Sequence, residues 1–166
     1  MQTAERPGIR WKMAATYDFL TADDLNKLLA FLASLRGRAG RFLAHDLLRP
    51  SPLGVATGAP IVTALSSGAN IGTSNWTHSI TGIMKAGDKV GLNGELRMLI
   101  ADLTSDGSGN ATMQLDAPLR AAVAANTPVI VSAPSCVMCL DSDDTGYTWS
   151  GGSTPAITIT ATEVFA

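Results

Sequence analysis

The segment from Ile9 to Leu48 reads as a strand, a helix and a second strand in immediate succession. Apolar and polar residues alternate from Ile9 to Phe19, which is the pattern of a strand with one buried and one solvated face. From Thr21 the period becomes helical, with an apolar stripe formed by Leu25, Leu28, Leu29, Leu32 and Leu35. The segment predicts a sheet with one helix beside it and offers no chemistry of its own.

Both ends of this helix carry local signals. Thr21 is predicted to be the N-cap, and Asp24 three residues later lies near the amide groups that a carboxylate stabilises. Gly37 is predicted to end the helix. Three arginines cluster at that end: Arg36, Arg38 and Arg41. Two interpretations stay open, a solvated complement to the helix dipole or bidentate contacts with an acidic face of a neighbouring subunit.

The rest of the chain predicts strands and turns. Asn93-Gly94 is a strong hairpin signal between strands at 89–92 and 95–103, because both residues tolerate positive φ. A looser hairpin loop is predicted at 106–110, with a strand at 111–115 after it. Further strands are predicted at 61–65, 127–132 and 136–140, and a loop at 66–75. The alternating strand 156–165 is expected to pair with 9–19 or its neighbours.

These elements predict a mainly β fold with one α-helix. Residues 1–52 plus 135–166 are expected to form a discontinuous base that contains the helix. Residues 53–134 are expected to form an inserted small β-barrel or sandwich module. Pro50–Pro60, rich in Pro, Gly and Ala, marks the first junction.

Composition limits the function classes. Only 16% of the 166 residues are charged, so either other copies or partners cover part of the surface, or the surface is simply rich in Ser and Thr. The first 50 residues have a net charge of +3 and the remainder −5, a polarity too weak to indicate nucleic-acid binding. Met1–Lys12 is too polar for a signal peptide, and no apolar run reaches the about 20 residues that span a bilayer.

The motifs that could carry chemistry have stronger structural interpretations. Cys136 and Cys139 form a C-x-x-C without a second ligand pair, which favours two small buried hydrophobes over zinc or redox chemistry. Asp141–Gly146 is reminiscent of part of a calcium loop but lacks the bidentate Glu, so a turn is favoured. His45-Asp46 could in principle activate a serine nucleophile, but the sequence has no G-x-S-x-G motif. No catalytic residue, metal or cofactor is expected.

Several segments carry a family resemblance. Gln2–Trp11 (QTAERPGIRW), Phe31–Phe42 (FLASLRGRAGRF), Ala86-Gly87-Asp88, Ala101–Thr112 (ADLTSDGSGNAT) and Leu119-Arg120 resemble, in this order, parts of tail proteins from long, non-contractile-tailed bacteriophages and prophages. The resemblance implies a distal-tail-like protein of the tail tip or baseplate, in which residues 1–52 plus 135–166 form a ring-forming, tail-tube-like β-sandwich with a flanking helix. Such relatives usually carry extra residues ahead of the Gln2 position, so a strand or arm is expected to be either missing here or supplied by a neighbour.

The expected function is structural. The resemblance implies a homo-oligomeric ring, with a hexamer favoured over a trimer, that joins the tail tube protein to the tail-tip hub proteins in the virion after synthesis in the bacterial cytoplasm. The expected interface residues are Arg36, Arg38, Arg41 and Asp143. The alternative is a β module that binds a host carbohydrate, for which the candidate contacts are Trp76, His78 and Trp149. A small hydrolase comes third.

Overall fold

The computed structural model describes residues 10–144, 146–148 and 155–165. Among them, one compact unit, unit 1, runs from His45 to Cys136. The other, unit 2, combines Arg10–Ala44 with the described part of Val137–Ala166. The chain therefore changes unit at 44/45 and 136/137, where the sequence placed boundaries at 52/53 and 134/135. The assignment of one part as ring-forming and the other as an inserted module stays a prediction.

The fold class predicted from the sequence is confirmed: the chain is mainly β with one helix in its described part. The elements are β1 Lys12–Tyr17, α1 Ala22–Leu35, a 3-10 turn Gly37–Ala39, β2 Phe42–His45, β3 Gly58–Val62, β4 Asn70–Trp76, β5 Lys89–Leu92, β6 Glu95–Met98, β7 Ala111–Gln114, β8 Ser135–Leu140 and β9 Ile157–Glu163.

The sheet of unit 2 has the strand order β1-β9-β8-β2. β1 and β9 are antiparallel, with Lys12 opposite Thr162 and Tyr17 opposite Ile157, which confirms the predicted pairing. The alternating apolar residues of both strands face α1, and the core they form with it includes Leu32, Leu35, Leu140, Ile157 and Ile159. Each fully buried side chain of this type contributes about 1.5–3 kcal/mol.

The two ends of α1 agree with the sequence to different degrees. Thr21 is the N-cap as predicted, since its hydroxyl accepts from the backbone N–H of Asp24 and donates to the Asp24 carboxylate. At the other end the prediction that Gly37 stops the helix is wrong by one position. Arg36 itself adopts the left-handed conformation (φ 54°) and donates its N–H to the carbonyl of Ala33. Gly37 follows with φ 65° and opens the 3-10 turn.

Unit 1 contains the sheet β3-β4-β7 and the hairpin β5-β6. The predicted hairpin at Asn93-Gly94 is confirmed, with both residues at positive φ. The predicted loop at 66–75 is wrong, because β4 lies there. Ser, Gly and Asn disfavour a strand locally, but β4 pairs with a neighbour on each side and buries Ile71, Thr73 and Trp76 on one face.

Two other strand predictions in unit 1 need correction. The predicted strand at 127–132 makes only isolated bridges through Pro128 and Ile130, and a proline has no N–H to donate to a ladder. The strand predicted at 111–115 exists, but β7 pairs with β4 rather than completing a hairpin with β6. The isolated bridge Leu99–Leu115, with the bond from the N–H of Ile100 to the carbonyl of Gln114, links β7 to the chain just after β6.

A charged cluster lies inside unit 1. The side chain of Arg97 is fully buried, and its Nη2 donates to Glu95 Oε2 (2.7 Å) and to the Pro118 carbonyl (3.0 Å). The Glu95 carboxylate also accepts from the backbone N–H groups of Arg120 and Ala121, so it anchors the turn that follows Pro118. Arg97 Nε and Nη1 have no hydrogen-bond partner among the described residues. The cluster ties β6 to a segment that lacks regular structure.

Candidate assembly interface

The arginine turn after α1 is fastened to the segment that follows β8. Asp143 Oδ1 accepts from the backbone N–H of Arg38 (2.8 Å), and its Oδ2 accepts from Arg38 Nε (3.3 Å) and Nη2 (3.2 Å). The backbone N–H of Arg38, and then its guanidinium, hold the pKa of Asp143 below the usual 3.8. A Cβ at Gly37 would lie 2.4 Å from Asp143 Oδ1, so only glycine permits this approach. The basic turn and the acidic segment, predicted to be complementary faces of different copies, thus meet within one chain.

The other two arginines differ in what they offer to a neighbour. Arg41 directs Nη1 at three consecutive carbonyls of its own turn, those of Arg38, Ala39 and Gly40. Its guanidinium therefore stabilises the 3-10 turn. Arg36 is exposed, and its side chain makes no hydrogen bond or ion pair within the described part of the chain. Of the predicted interface arginines, Arg36 is the one whose charge is left for a partner.

Two of the three predicted carbohydrate contacts, Trp76 and His78, are among the described residues, and they differ in exposure. Trp76 is only 2% exposed, its ring lies in the core of unit 1, and its Nε1 donates to the hydroxyl of Thr73 (2.8 Å). The proposed stacking role of Trp76 is therefore wrong, because a sugar cannot reach a ring packed on all sides. His78 is exposed beside the loop at Gly109. Trp149 lies outside the described residues.

The cysteine and aspartate motifs occupy separate surfaces of β8 and its following turn. Cys136 is buried and Cys139 half-buried, and an odd spacing along a strand directs the two side chains to opposite faces. In the turn after β8, the hydroxyl of Ser142 donates to the Asp144 carboxylate, a local bond typical of turns. No group of three or more His, Cys, Asp or Glu residues converges in the part of the chain that the structure describes.

Among the described residues, one face of the sheet of unit 2 has no helix packed against it, and we call it the hydroxyl face. Thr16 and Thr158 lie opposite each other and their hydroxyls are 3.1 Å apart, while Thr162 donates to Asp141 (2.7 Å). The face is formed by the side chains of Lys12, Ala14, Thr16, Thr158, Thr160 and Thr162. It is rich in hydroxyl groups, which accounts for part of the low charge content of the chain.

Both outer strands of that sheet have an open edge, since β1 pairs only with β9 and β2 only with β8 among the described residues. The N–H of Glu163 donates to the carbonyl of Trp11, which makes that pair a hydrogen-bonded one. Antiparallel pairs alternate in type, so Lys12, Ala14 and Thr16 direct their N–H and C=O groups away from β9. An open row of this kind is a template for pairing with another chain.

Between β1 and α1, Asp18 and Phe19 form an exposed and strained corner. The Phe19 side chain is 82% exposed, so its burial does not explain why its backbone adopts φ 57°. A left-handed conformation costs a bulky residue about 1–2 kcal/mol, and strain of this kind concentrates at functional positions. Leu20 next to it packs into the core, so the chain turns the aromatic ring outward while it buries the leucine.

In unit 1 the residues 46–55 form a second exposed feature, which we call the strap. The buried carboxylate of Asp88 accepts from the backbone N–H groups of Leu53 (2.8 Å) and Gly54 (3.2 Å) as well as Lys85 (2.7 Å). The Pro50 carbonyl accepts from Ala133. The strap backbone is therefore held at several points along its length.

A second carboxylate pins the start of the strap. Asp46 accepts from the N–H groups of Leu48 and Arg49 and is ion-paired with Lys89. The Lys89 ammonium, and then these backbone bonds, lower the pKa of Asp46. The apolar side chains of the strap nevertheless point to solvent, and Leu48 is 93% exposed. The strap is thus an ordered segment with unburied apolar groups, where the sequence predicted an irregular junction.

A shallow depression beside the strap has room for about one water molecule. Its lining is as polar as it is apolar and consists of Arg49, Pro50, Ser51, Pro52, Gly87, Asp88, Lys89, Val131 and Pro134. Asp88 and Lys89 are already bonded within unit 1.

No protein-family model and no curated protein matches this chain. No helix among the described residues is long and apolar enough to cross a membrane. The structure brings Arg38 and Asp143 of the predicted interface set together in unit 2, whereas Trp76 and His78 of the predicted carbohydrate contacts belong to unit 1. The Asp18–Phe19 corner and the strap were not predicted from the sequence. Their only signals in it are an Asp-Phe pair before the helix cap and a Leu-Leu pair next to two prolines.

Proposed function

We propose that this chain is a structural subunit of a bacteriophage tail tip. Copies assemble into a closed ring, a hexamer in the favoured case, that joins the tail tube to the central hub of the virion. The proposal starts from the resemblance of 2–11, 31–42 and 101–112 to tail proteins and adds a physical requirement: each copy needs two different unpaired surfaces.

The observation that carries the proposal is the sheet of unit 2, in which β1 and β2 each keep an open edge in the described residues. Two distinct edges of one sheet allow head-to-tail pairing, in which the β1 edge of one copy meets the β2 edge of the next. The hydroxyl face would then continue from copy to copy around the ring. A polar face with few charges suits a surface that lies against other copies or lines the ring.

The first test is the oligomeric state of the full-length chain. Light scattering after size exclusion, with negative-stain images of the peak, is expected to show closed rings, and cryo-electron microscopy of tail particles is expected to place the chain at the tail tip. A monomer at all accessible concentrations, together with absence of the chain from particles, would overturn the proposal.

A variant pair tests the strand edge itself. Ala14→Pro removes an N–H that points away from β9, so the β1–β9 ladder is retained while the open edge is blocked. The variant is expected to fold, judged by circular dichroism, and to stay monomeric. Ala14→Ser keeps the N–H at the same position and is expected to form rings. Ring formation by folded Ala14→Pro would exclude pairing through β1.

A further inference from the structure

The two outer strands of the sheet of unit 2 run in opposite directions. β1 is antiparallel to β9, and β9 is antiparallel to β8. The turn before β2 is bonded to the segment after β8 through Arg38 and Asp143, so β2 starts beside the C-terminal end of β8 and is antiparallel to it. The C-terminal end of β1 and the N-terminal end of β2 therefore lie at the same end of the sheet.

Helix α1 spans this end of the sheet from one open edge to the other. Residues 18–21 connect β1 to α1, and a short turn connects α1 to β2. The 14 residues of α1 measure about 21 Å, whereas strands about 4.8 Å apart place β1 and β2 about 14 Å from each other. The N-terminus of α1 thus lies at the β1 edge, and the arginine turn lies at the β2 edge.

The two edges carry opposite unpaired charges at this end. Asp18 directly follows β1 and is exposed, and Arg36 is exposed at the other end of α1. Asp23 and Asp24 already have partners near the start of their own helix. Neither Asp18 nor Arg36 has an ion pair or a side-chain hydrogen bond within the described residues. The length of α1 keeps the two from pairing within one chain.

We propose that Asp18 of one copy forms an ion pair with Arg36 of the next copy, where β1 and β2 join as antiparallel strands. The inference rests on the proposed ring and adds the direction of the joined strands and a charge contact that fixes it. The occupant of each edge is a second copy, because repeating the order β1-β9-β8-β2 brings the start of one α1 beside the arginine turn of the next. In a parallel arrangement Lys12 would meet that turn, and like charges would face each other.

The backbone of Arg36 supports a role outside its own chain. A left-handed residue at a helix C-terminus is usually glycine or asparagine. Arginine in this conformation, with φ 54°, costs about 1–2 kcal/mol. The described residues offer its side chain no bond that offsets this cost. A guanidinium can bind a carboxylate of a neighbouring copy through two parallel hydrogen bonds, which accounts for an arginine at this position.

Charge reversal tests the pair on full-length chains in low-salt buffer. Asp18→Arg places two cations at each contact and Arg36→Asp places two anions there, and each is expected to raise the concentration for half-assembly by at least about fivefold. Aspartate adopts the left-handed region readily, so Arg36→Asp is expected to keep the helix end. The double variant exchanges the two charges and restores an attractive pair at every contact. Its assembly is expected to return to the wild-type range.

Arg49→Asp is the matched control. Arg49 is an exposed cation of unit 1, so its reversal changes the net charge as much as Arg36→Asp does. The control is expected to assemble like the wild type. The loss in Asp18→Arg and in Arg36→Asp is expected to shrink as salt is added, because exposed charges are screened. Circular dichroism checks that every variant is folded.

The outcomes distinguish the pair from the ring. If either single variant assembles like the wild type, or if the double variant stays as weak as the single ones, the inference is overturned while the wild-type ring stands. An equal loss in Arg49→Asp would also overturn it, since the loss would then follow net charge alone. If the wild type itself forms no ring, the proposed function fails instead.

Discussion

Arg38 and Asp143, 105 positions apart in the chain, are joined by three hydrogen bonds that fasten the turn after α1 to the segment after β8. These bonds hold the pKa of Asp143 below its usual value of 3.8. Because the folded pKa is the lower one, the contact stabilises the fold at pH values above the unfolded pKa. That stabilisation is lost as the pH falls through the folded pKa.

We therefore expect Asp143→Asn to lower the melting temperature at pH 7 and to have a shrinking effect as the pH is taken below 3.8. The comparison is made by circular dichroism over a series of buffers. Asp144→Asn serves as the control, since it removes a charge from the same segment without touching Arg38. Parallel curves for wild type and Asp143→Asn down to the most acidic buffer would contradict the prediction.

The strap depends on a buried carboxylate. Asp88→Ala leaves the backbone N–H groups of Leu53, Gly54 and Lys85 without their acceptor, and is expected to lower the free energy of unfolding by about 3 kcal/mol. Urea titration measures the loss, and amide exchange should show faster exchange at Leu53 and Gly54. Asp102→Ala removes an exposed carboxylate and should leave those two amides protected. Unchanged exchange in Asp88→Ala would mean that the strap is held by other contacts.

Trp76 is a core residue, so its truncation is expected to act on stability. Trp76→Ala should lower the free energy of unfolding by about 3–5 kcal/mol, because a large cavity opens in unit 1. Trp76→Phe keeps most of the ring volume and loses the bond to Thr73, and a loss of about 1–2 kcal/mol is expected. Urea unfolding of both variants measures whether Trp76→Ala loses more stability than Trp76→Phe. If Trp76→Phe folded with unchanged stability but lost carbohydrate binding, Trp76 would be a carbohydrate contact after all.

The buried pair Glu95–Arg97 gives an asymmetric prediction. Glu95→Ala leaves the fully buried guanidinium of Arg97 without its carboxylate partner, and is expected to destabilise the fold by about 3–5 kcal/mol. The double variant Glu95→Leu with Arg97→Met removes both charges and should recover part of that loss, although the Arg120 and Ala121 amides still lose their acceptor. Denaturant titration compares the variants. A double variant less stable than Glu95→Ala would show that the pair itself is strongly stabilising.

The elements that the sequence predicted well are those with local signals. The Thr21 cap, the leucine stripe of α1 and the Asn93-Gly94 turn are specified within a few residues. The pairing of β1 with β9 was also accessible, because two long alternating strands each need one face covered. For the same reason the mainly β fold class could be predicted before any long-range contact was known.

What the sequence did not reveal depends on distant contacts. β4 forms because β3 and β7 pair with it on both sides, against the preference of its Ser, Gly and Asn residues. The strap is ordered by Asp88, which lies 35 positions beyond Leu53. The positive φ of Phe19 has no signature in its residue type, and Arg36 rather than Gly37 took the cap position. Each case is a tertiary contact that outweighs a local preference.

The sheet of unit 2 joins β1 to β9, which is the last strand in the part of the chain that the structure describes. On the ribosome, β1 and α1 emerge early and keep their apolar sides uncovered until Ile157–Glu163 has been made, whereas 45–136 is continuous and can fold in the interval. Translation that stops before β9 yields a product without a completed sheet. Formation of the β1–β9 ladder therefore waits until Ile157–Glu163 has been made.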